Sequence, residues 1–234
     1  MFLKPFFSET SAGVEITPAQ ASAFAKDIAG DFNPIHDEGA KRFCVPGDLL
    51  FAMAVSKYGL HEKMHFSFEG MVGSGVCLQF PDTREALAIT DSRDKTYLKV
   101  TQSGNASHCP EQIESFVRGY VAFSGLNFTH VVVPLMQEHQ VMINPARPLV
   151  IYDSMSVELT DTDFCQVELE LVSKTLEIDG KRGDATLEFK LTSDGRQVGT
   201  GRKTLVLSGL RPLEEDKVAD MCRQYDERAA LKAS

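Results

Sequence analysis

The sequence of 234 residues predicts an α+β protein. Two helical patterns lie near the N-terminus, and the second is apolar almost all round, as in a helix that other structure surrounds. Much of the remaining chain consists of short runs rich in β-branched and aromatic residues, separated by Gly, Asp and Ser, which predicts strands. Asp-Gly turn sequences between later runs predict antiparallel pairing.

The first helix is predicted to begin at Pro18. Thr17 is a natural N-cap, and Gln20 can complete a capping box with it. A spacing of three and four residues places four apolar side chains on one face, namely Ala21, Phe24, Ala25 and Ile28. Gly30 is expected to end the helix, so the residues that follow it form a loop.

The second helix is predicted within residues 46–60, "PGDLLFAMAVSKYGL". Pro46 and Gly47 lie at its start, and the charge of Asp48 suits the positive end of a helix. Gly59 is expected to close it. The segment from Leu49 to Val55 is apolar on all sides, which predicts a buried helix.

Strands are predicted on both sides of a helix or linker at residues 127–142, whose length Pro134 limits. The runs before it are residues 65–80, 86–90, 96–104 and 114–125, and those after it are 147–159, 165–178, 185–193 and 196–209. In "QVELELV" strict alternation turns three apolar side chains to one face, those of Val167, Leu169 and Leu171. The turns "IDGKRGD" and "TSDGRQ" predict hairpins.

These patterns divide the chain into three segments. Residues 1–125 are predicted to form an N-terminal domain and residues 126–212 a C-terminal domain, without a visible sequence repeat between them. Residues 213–234 are predicted to form an amphipathic helix with one apolar stripe, made of Val218, Met221, Cys222 and Tyr225.

Composition limits the classes of function. A formal charge of -9 argues against binding to nucleic acid or to an anionic membrane, because both are polyanions. We see no apolar run of the roughly 18 residues that span a bilayer, and the polar turn after the first residues does not suit a signal peptide. The five cysteines are scattered without a CxxC pair, which predicts reduced thiols in a cytoplasmic protein and neither a metal nor a cofactor.

The loop after the first helix, "AGDFNPIHDEG", concentrates the residues that suit chemistry. The segment "AGDFNPIHDEGAKRFCVPGDLL" resembles the hydratase motif of the MaoC-like (R)-specific enoyl-CoA hydratases. The matching positions are Gly30, Asp31, Asn33, Pro34, Ile35, His36, Glu38, Ala40, Phe43 and Gly47. Two features depart from the family pattern: Pro46 stands where the family has histidine, and the segment between His36 and Gly47 is shorter. The whole chain also resembles a family of bacterial proteins that carries this motif and implies no activity.

The resemblance implies a hot-dog fold, in which antiparallel sheets wrap around long central helices. With two sets of strands, we expect a tandem, or double, hot-dog protein with one site per chain, and a homodimer is possible. The resemblance implies that Asp31 and His36 activate a water and that the backbone N–H of Gly47 polarises a thioester carbonyl. It also implies a substrate pocket formed by Asn33, Phe43, Leu50, Phe51 and Ala54.

The residue types suit that chemistry. Hydration of an enoyl thioester needs a nucleophilic water at C3 and a proton at C2, and a carboxylate and an imidazole that converge on one water can supply both. Pro34 restricts the backbone between Asp31 and His36, which stiffens their spacing. The alternative is structural, because Asp, Asn and Pro after a helix also build ordinary turns.

Three functions follow as hypotheses. The first is a hydratase or dehydratase, a lyase of fatty acid metabolism that acts on enoyl-CoA or enoyl-carrier-protein. The second is a non-catalytic protein that binds or senses acyl-CoA. The third is a hot-dog thioesterase, for which Asp48 is the available carboxylate on the central helix. Five basic residues could contact the phosphates of coenzyme A, namely Lys41, Arg42, Arg84, Arg93 and Lys95.

Overall fold

An antiparallel sheet of ten strands organises the chain in the computed structural model, which describes residues 2–82, 87–126 and 128–233. The strands in chain order are β1 (Ser8–Thr10), β2 (Gly13–Glu15), β3 (Leu60–Phe68), β4 (Cys77–Gln79), β5 (Leu87–Asp91), β6 (Thr96–Ser107), β7 (Val141–Met142), β8 (Val150–Leu159), β9 (Glu168–Asp179), β10 (Arg182–Ser193), β11 (Arg196–Ser208) and β12 (Arg211–Pro212). Strands β7 and β12 form a separate two-stranded sheet.

Five α-helices pack with these strands in the described part of the chain. They are α1 (Pro18–Phe24), α2 (Gly47–Tyr58), α3 (Pro110–Gly125), α4 (Val133–Glu138) and α5 (Glu215–Ala233). Helix α1 continues as a π-helical turn over Ala25–Ala29, and a second π-helical turn, Phe128–Val132, precedes α4. The predicted start of α1 is confirmed, because Thr17 and Gln20 form the capping box. No single helix of the described residues is long and apolar enough to span a membrane, although α3 and the helical segment after it reach that length as a pair bent by 50°.

The sheet has the strand order β1-β2-β4-β5-β6-β3-β8-β11-β10-β9. At its centre β3 pairs with β8, from Lys63 opposite Glu158 to Ser67 opposite Ser154. Outward from this pair the order is β3-β6-β5-β4 on one side and β8-β11-β10-β9 on the other, which is the same connectivity twice. The strands therefore join into one continuous sheet, where the sequence predicted two packed sheets.

Helix α2 lies inside the main core, and its buried residues cover nearly its whole circumference. Phe51, at its centre, contacts the rings of Phe66, Phe116 and Tyr120. An antiparallel sheet wrapped around a long buried helix is what the predicted hot-dog fold requires, so the α+β class and the fold are confirmed. The division into domains at residues 125–126 stays a prediction.

The predicted strand at residues 114–125 is wrong, because this segment belongs to α3. Its β-branched and aromatic residues suggested a strand, but the buried side chains recur with helical spacing, at Ile113, Phe116, Val117, Tyr120, Val121 and Ser124. Pro110 at the first turn suits a helix start.

The predicted strand at residues 65–80 is also divided, into β3 and β4 with a loop between them. Of the predicted strand at 86–90, Ala86 lies outside the described residues.

Candidate active site

The loop after α1 is shaped by its own polar side chains. Gly30 adopts a left-handed conformation with φ 66°, and Asp31 N donates to Ala25 O at 2.8 Å, which ends the helix. Asp31 Oδ1 accepts from Asn33 N at 2.9 Å, and Asn33 Oδ1 accepts from Ile35 N at 3.2 Å. These hydrogen bonds are those of a well-formed turn. The role of one carboxylate oxygen of Asp31, Oδ1, is therefore to stabilise the turn.

The second carboxylate oxygen of Asp31 faces His36. The distance from Asp31 Oδ2 to His36 Nε2 is 3.5 Å, and the side chains are 23% and 12% exposed. On the other side of the ring, His36 Nδ1 lies 2.7 Å from Cys44 O. Because a carbonyl oxygen can only accept, Nδ1 carries a proton, and in the neutral ring the lone pair of Nε2 faces Asp31. The two side chains therefore face each other across 3.5 Å.

The surroundings of His36 act on its pKa in opposite directions. Burial, the largest effect, lowers it, whereas the hydrogen bond and charge of Asp31, the Cys44 carbonyl and the charge of Asp48 raise it. The net result is a pKa above the ordinary value for histidine. The carboxylate of Asp31 therefore favours the protonated ring.

A cavity of about 360 Å³ opens beside this pair. Of the residues predicted for the site, five line it, namely Asp31, Asn33, His36, Gly47 and Leu50. Phe51 and Ala54 lie in the core and are not among the lining residues, and neither is Phe43, which packs against the core. The opposite wall comes from the second half of the chain and is mostly apolar, with Phe128, Val132, Leu149, Val150 and Leu205.

Gly47 begins α2 at the edge of the cavity. Its N–H belongs to the first turn, where backbone donors have no acceptor within the helix. A Cβ at this position would lie 3.0 Å from Tyr152 Cδ1 and 3.1 Å from Phe68 Cε1. The centroids of those two rings lie 4.1 Å apart, so Gly47 fits beneath an aromatic pair that would have to move by a few tenths of an ångström to admit a Cβ.

A second polar cluster, which the sequence did not predict, also lines the cavity: Asp48, Ser124 and Lys203. Ser124 Oγ donates to Asp48 Oδ2 at 2.6 Å and accepts a hydrogen bond from Lys203 Nζ. Asp48 is 7% exposed and Lys203 is 3% exposed. Asp48 Oδ1 is buried and has no hydrogen-bond partner among the described residues.

Burial dominates the electrostatics of this cluster. It raises the pKa of Asp48, against the lowering effects of Lys203 and Ser124. It lowers the pKa of Lys203, against the raising effects of Asp48 and Asp31. The Lys203 ammonium also lies 4.1 Å from the centroid of the Tyr152 ring, a favourable cation–π position.

One signal for Lys203 was present in the sequence. Alternation along β11 places it on the same face as Leu205 and Leu207, both buried. A lysine on an inward face needs a partner. Ser124 could not be recognised in the same way, because α3 had been assigned as a strand.

The residues considered for the phosphates of coenzyme A lie elsewhere. Lys41, Arg42, Arg93 and Lys95 are not among the residues that line the cavity, and Arg84 lies outside the described residues. Among the described residues, no group of three or more His, Cys, Asp or Glu side chains is placed to hold a metal ion.

Comparison with known proteins gives a family. Residues 1–216 match the model of the family described as protein of unknown function (DUF3581). No curated protein matches the chain significantly.

Similar solved structures include a tesB protein of Mycobacterium avium subspecies paratuberculosis, with 10% identity, a TM-score of 0.44 and coverage of 72% of this chain and 89% of that one. A MaoC-like dehydratase has 8% identity and a TM-score of 0.43, and the match covers 87% of this chain and 98% of that one. HtdX of Mycobacterium tuberculosis has 14% identity and a TM-score of 0.37, and the match covers 85% of this chain and 97% of that one. TM-scores below 0.5 carry no argument about activity, so the chemistry has to come from the residues of this chain.

Proposed function

Because this chain belongs to the family described as protein of unknown function (DUF3581), we propose its reaction from the chemistry of its own cavity: the addition of water to a 2-enoyl thioester, or the reverse. The observation that carries the proposal is the distance of 3.5 Å between Asp31 Oδ2 and His36 Nε2 at the cavity wall. One water can hydrogen-bond to both atoms at about 2.8 Å from each. The likeness of residues 30–47 to the MaoC-like motif supports the thioester substrate.

In the proposed reaction, Asp31 and His36 hold that water beside C3 of the substrate. As the water oxygen forms its bond to C3, His36 Nε2 accepts a proton from it, and the electrons of the double bond move onto the thioester oxygen. The N–H of Gly47 stabilises the resulting enolate. His36 then returns the proton to C2, which gives the 3-hydroxyacyl thioester and restores the neutral ring.

The position of the acyl chain differs from the one the motif implied. Phe51 and Ala54 are buried in the core and are not among the residues that line the cavity. The apolar wall contributed by Phe128, Val132 and Leu205 offers the alternative surface. We therefore place the acyl group between α2 and the second half of the chain.

The repeated strand connectivity supports the tandem organisation. In each half of the sheet a helix precedes the central strand, α2 before β3 and α3 with α4 before β8. The loop that carries Asp31 and His36, here called the catalytic loop, belongs to the first half of the chain, and the apolar wall belongs to the second half. The proposed site thus lies between two hot-dog units of one chain, with one catalytic motif.

Thioester hydrolysis is a second candidate, and Asp48 is the observation that favours it. Asp48 lines the cavity and follows Gly47 in the chain, so a water held by Asp48 could attack a carbonyl bound at the Gly47 N–H. In this reaction the carboxylate accepts the proton of the water, the water oxygen bonds to the carbonyl carbon, and the thiolate leaves.

One set of assays separates the two reactions. Purified protein is incubated with crotonyl-CoA and longer enoyl-CoAs, and both the loss of the conjugated double bond and the release of free thiol are measured. We expect hydration without thiol release, and Asp31→Asn or His36→Gln to lower kcat by about 10²–10⁴-fold. Asp48→Asn should abolish thiol release if hydrolysis is the reaction.

Matched controls come from exposed residues of the same types, Asp82→Asn and His65→Gln. These variants should keep the activity of the unmodified chain. If the protein binds acyl-CoA with no turnover and the Asp31 and His36 variants bind equally well, the non-catalytic hypothesis replaces the hydratase.

A further inference from the structure

The C-terminal helix α5 packs against the catalytic loop, and its contacts concentrate beside the two proposed catalytic residues. Of the predicted apolar stripe, Val218 and Tyr225 are buried, and Met221 and Cys222 pack against a second hydrophobic core that includes Val131 and Leu205. Tyr225, 9% exposed, reaches from this stripe towards Asp31.

The hydroxyl of Tyr225 binds backbone groups on both sides of Asp31. It accepts from Phe32 N at 3.2 Å and lies within donor distance of Gly30 O at 3.3 Å and Gly125 O at 3.1 Å. The Tyr225 ring also contacts those of Phe32 and Phe128, with centroids 5.9 Å and 5.5 Å away. One buried side chain therefore joins the loop, the end of α3 and the cavity wall.

A second attachment lies next to His36. Arg228 Nη1 donates to Asp37 Oδ2 at 2.6 Å, and Lys26 Nζ contacts Asp37 Oδ1 at 2.8 Å. One turn further along α5, Lys232 Nζ lies 2.7 Å from Asp27 Oδ1. Asp31 and His36 are thus each adjacent in the chain to a residue that α5 holds.

The loop has open space on both faces. Asn33 lines the main cavity and also a smaller one, of about 70 Å³, between the loop and α5. Tyr225 and Arg228 line the smaller cavity. A segment that adjoins two cavities has fewer packing contacts, so hydrogen bonds and ion pairs contribute more to the position of this loop.

We propose that α5 is a strap that sets the geometry of the Asp31–His36 pair, with Tyr225 as the positioning residue. The inference rests on the proposed function for its kinetic consequence, but its structural part does not. A shift of about 1 Å in a catalytic group can cost about 100-fold in rate, so a hydroxyl remote from substrate can control turnover.

The test is Tyr225→Phe in the full chain, with Tyr58→Phe as the matched control. Tyr58 is also buried, and its hydroxyl donates a hydrogen bond of 2.9 Å to Pro81 O. Neither residue lines the cavity. We expect Tyr225→Phe to lower kcat about tenfold with KM within about twofold, and to move the acid limb of the pH profile. Tyr58→Phe should leave all three unchanged.

Two measurements do not need the reaction. Hydrogen exchange at the Phe32 amide, which loses its acceptor, should accelerate at least tenfold in Tyr225→Phe, and the NMR titration of His36 should move. If both change while no variant hydrates an enoyl thioester, the strap stands and the proposed function fails. If neither changes, the strap is overturned whatever the kinetics show.

Arg228→Met is the second variant, for use if Tyr225→Phe does not fold. Its control is Arg223→Met, because among the described residues Arg223 forms an ion pair only with Asp220 of its own helix. A faster exchange at residues 36–38 in Arg228→Met alone supports the strap, and equal exchange in both variants contradicts it.

Discussion

At the scale of single residues, Asp31 shows why a turn and the proposed catalytic pair are not alternatives. Its Oδ1 closes the turn with Asn33 N, and its Oδ2 faces His36 Nε2. The turn fixes the carboxylate, and the Cys44 carbonyl fixes the ring. The residues that build the loop therefore also orient the groups that converge on the cavity.

The pKa of His36 should depend on Asp31. In Asp31→Asn the lowering effect of burial remains while the raising effect of the carboxylate is lost, so we expect this pKa to fall. An NMR titration of the His36 ring measures the change, with Asp82→Asn as the control. An unchanged titration would show that the two side chains do not interact in solution.

The same pair links stability to pH. Because the folded-state pKa of His36 is raised, its contribution to the free energy of unfolding is present below the ordinary histidine pKa. That contribution is lost as the pH rises through the raised value. Thermal unfolding at about pH 5.5 and about pH 8 should thus show the larger difference between the unmodified chain and Asp31→Asn at the lower pH.

At the scale of elements, the start of α2 combines a helix N-terminus with a close aromatic contact. A side chain at Gly47 would crowd the rings of Tyr152 and Phe68, although the φ of this residue does not require glycine. The same element places Asp48 in the first turn, where the helix dipole favours a carboxylate. One turn of helix therefore supplies both the Gly47 N–H, which is proposed to donate to the thioester carbonyl, and the buried carboxyl group of Asp48.

Gly47→Ala tests the donor position. The added methyl group must push the Tyr152 or Phe68 ring by a few tenths of an ångström. We expect kcat/KM to fall about tenfold, while the melting temperature changes little, because alanine favours the helix by up to about 1 kcal/mol. Gly73→Ala is the control, since a Cβ there meets nothing within 4 Å. Equal activity of the two variants would contradict the proposed role of Gly47 as a hydrogen-bond donor to the substrate.

At the scale of the whole molecule, the site lies where the two halves of the sheet meet. The main core takes residues from both halves, including Leu49 and Phe51 of α2 and Phe189 and Leu191 of β10. The cluster of Asp48, Ser124 and Lys203 joins α2, α3 and β11 in the same way. Neither half contains the complete cavity wall.

Lys203→Met should destabilise the chain strongly, because it leaves the buried charge of Asp48 without compensation. Losing one partner of a buried pair costs about 3–5 kcal/mol. Adding Asp48→Asn should recover much of this loss, and urea unfolding of the single and double variants measures it. Lys190→Met, which removes a partly exposed pair with Glu170, should cost at most about 1 kcal/mol. Equal stabilities of the single and double variants would contradict the coupling.

Local signals in the sequence were sufficient for most elements. Thr17, Pro18 and Gln20 defined the start of α1, the apolar run from Leu49 to Val55 defined a buried helix, and Asp-Gly turns defined the late hairpins. The Asp31–His36 pair was recognised from one loop because both residues lie within six positions of the chain. These features depend on short-range interactions, which neighbouring residues encode.

Only the tertiary structure decided what depends on distant segments. The composition of residues 114–125 suits a strand, but the fold uses their helical spacing to cover α2 and β9. Asp48 and Lys203 lie far apart in the chain and become partners through Ser124 when β11 and α3 meet α2. The placement of Tyr225 beside Asp31 has the same origin, since its contacts join residues separated by almost the whole chain, and no local pattern encodes which distant surface a helix will cover.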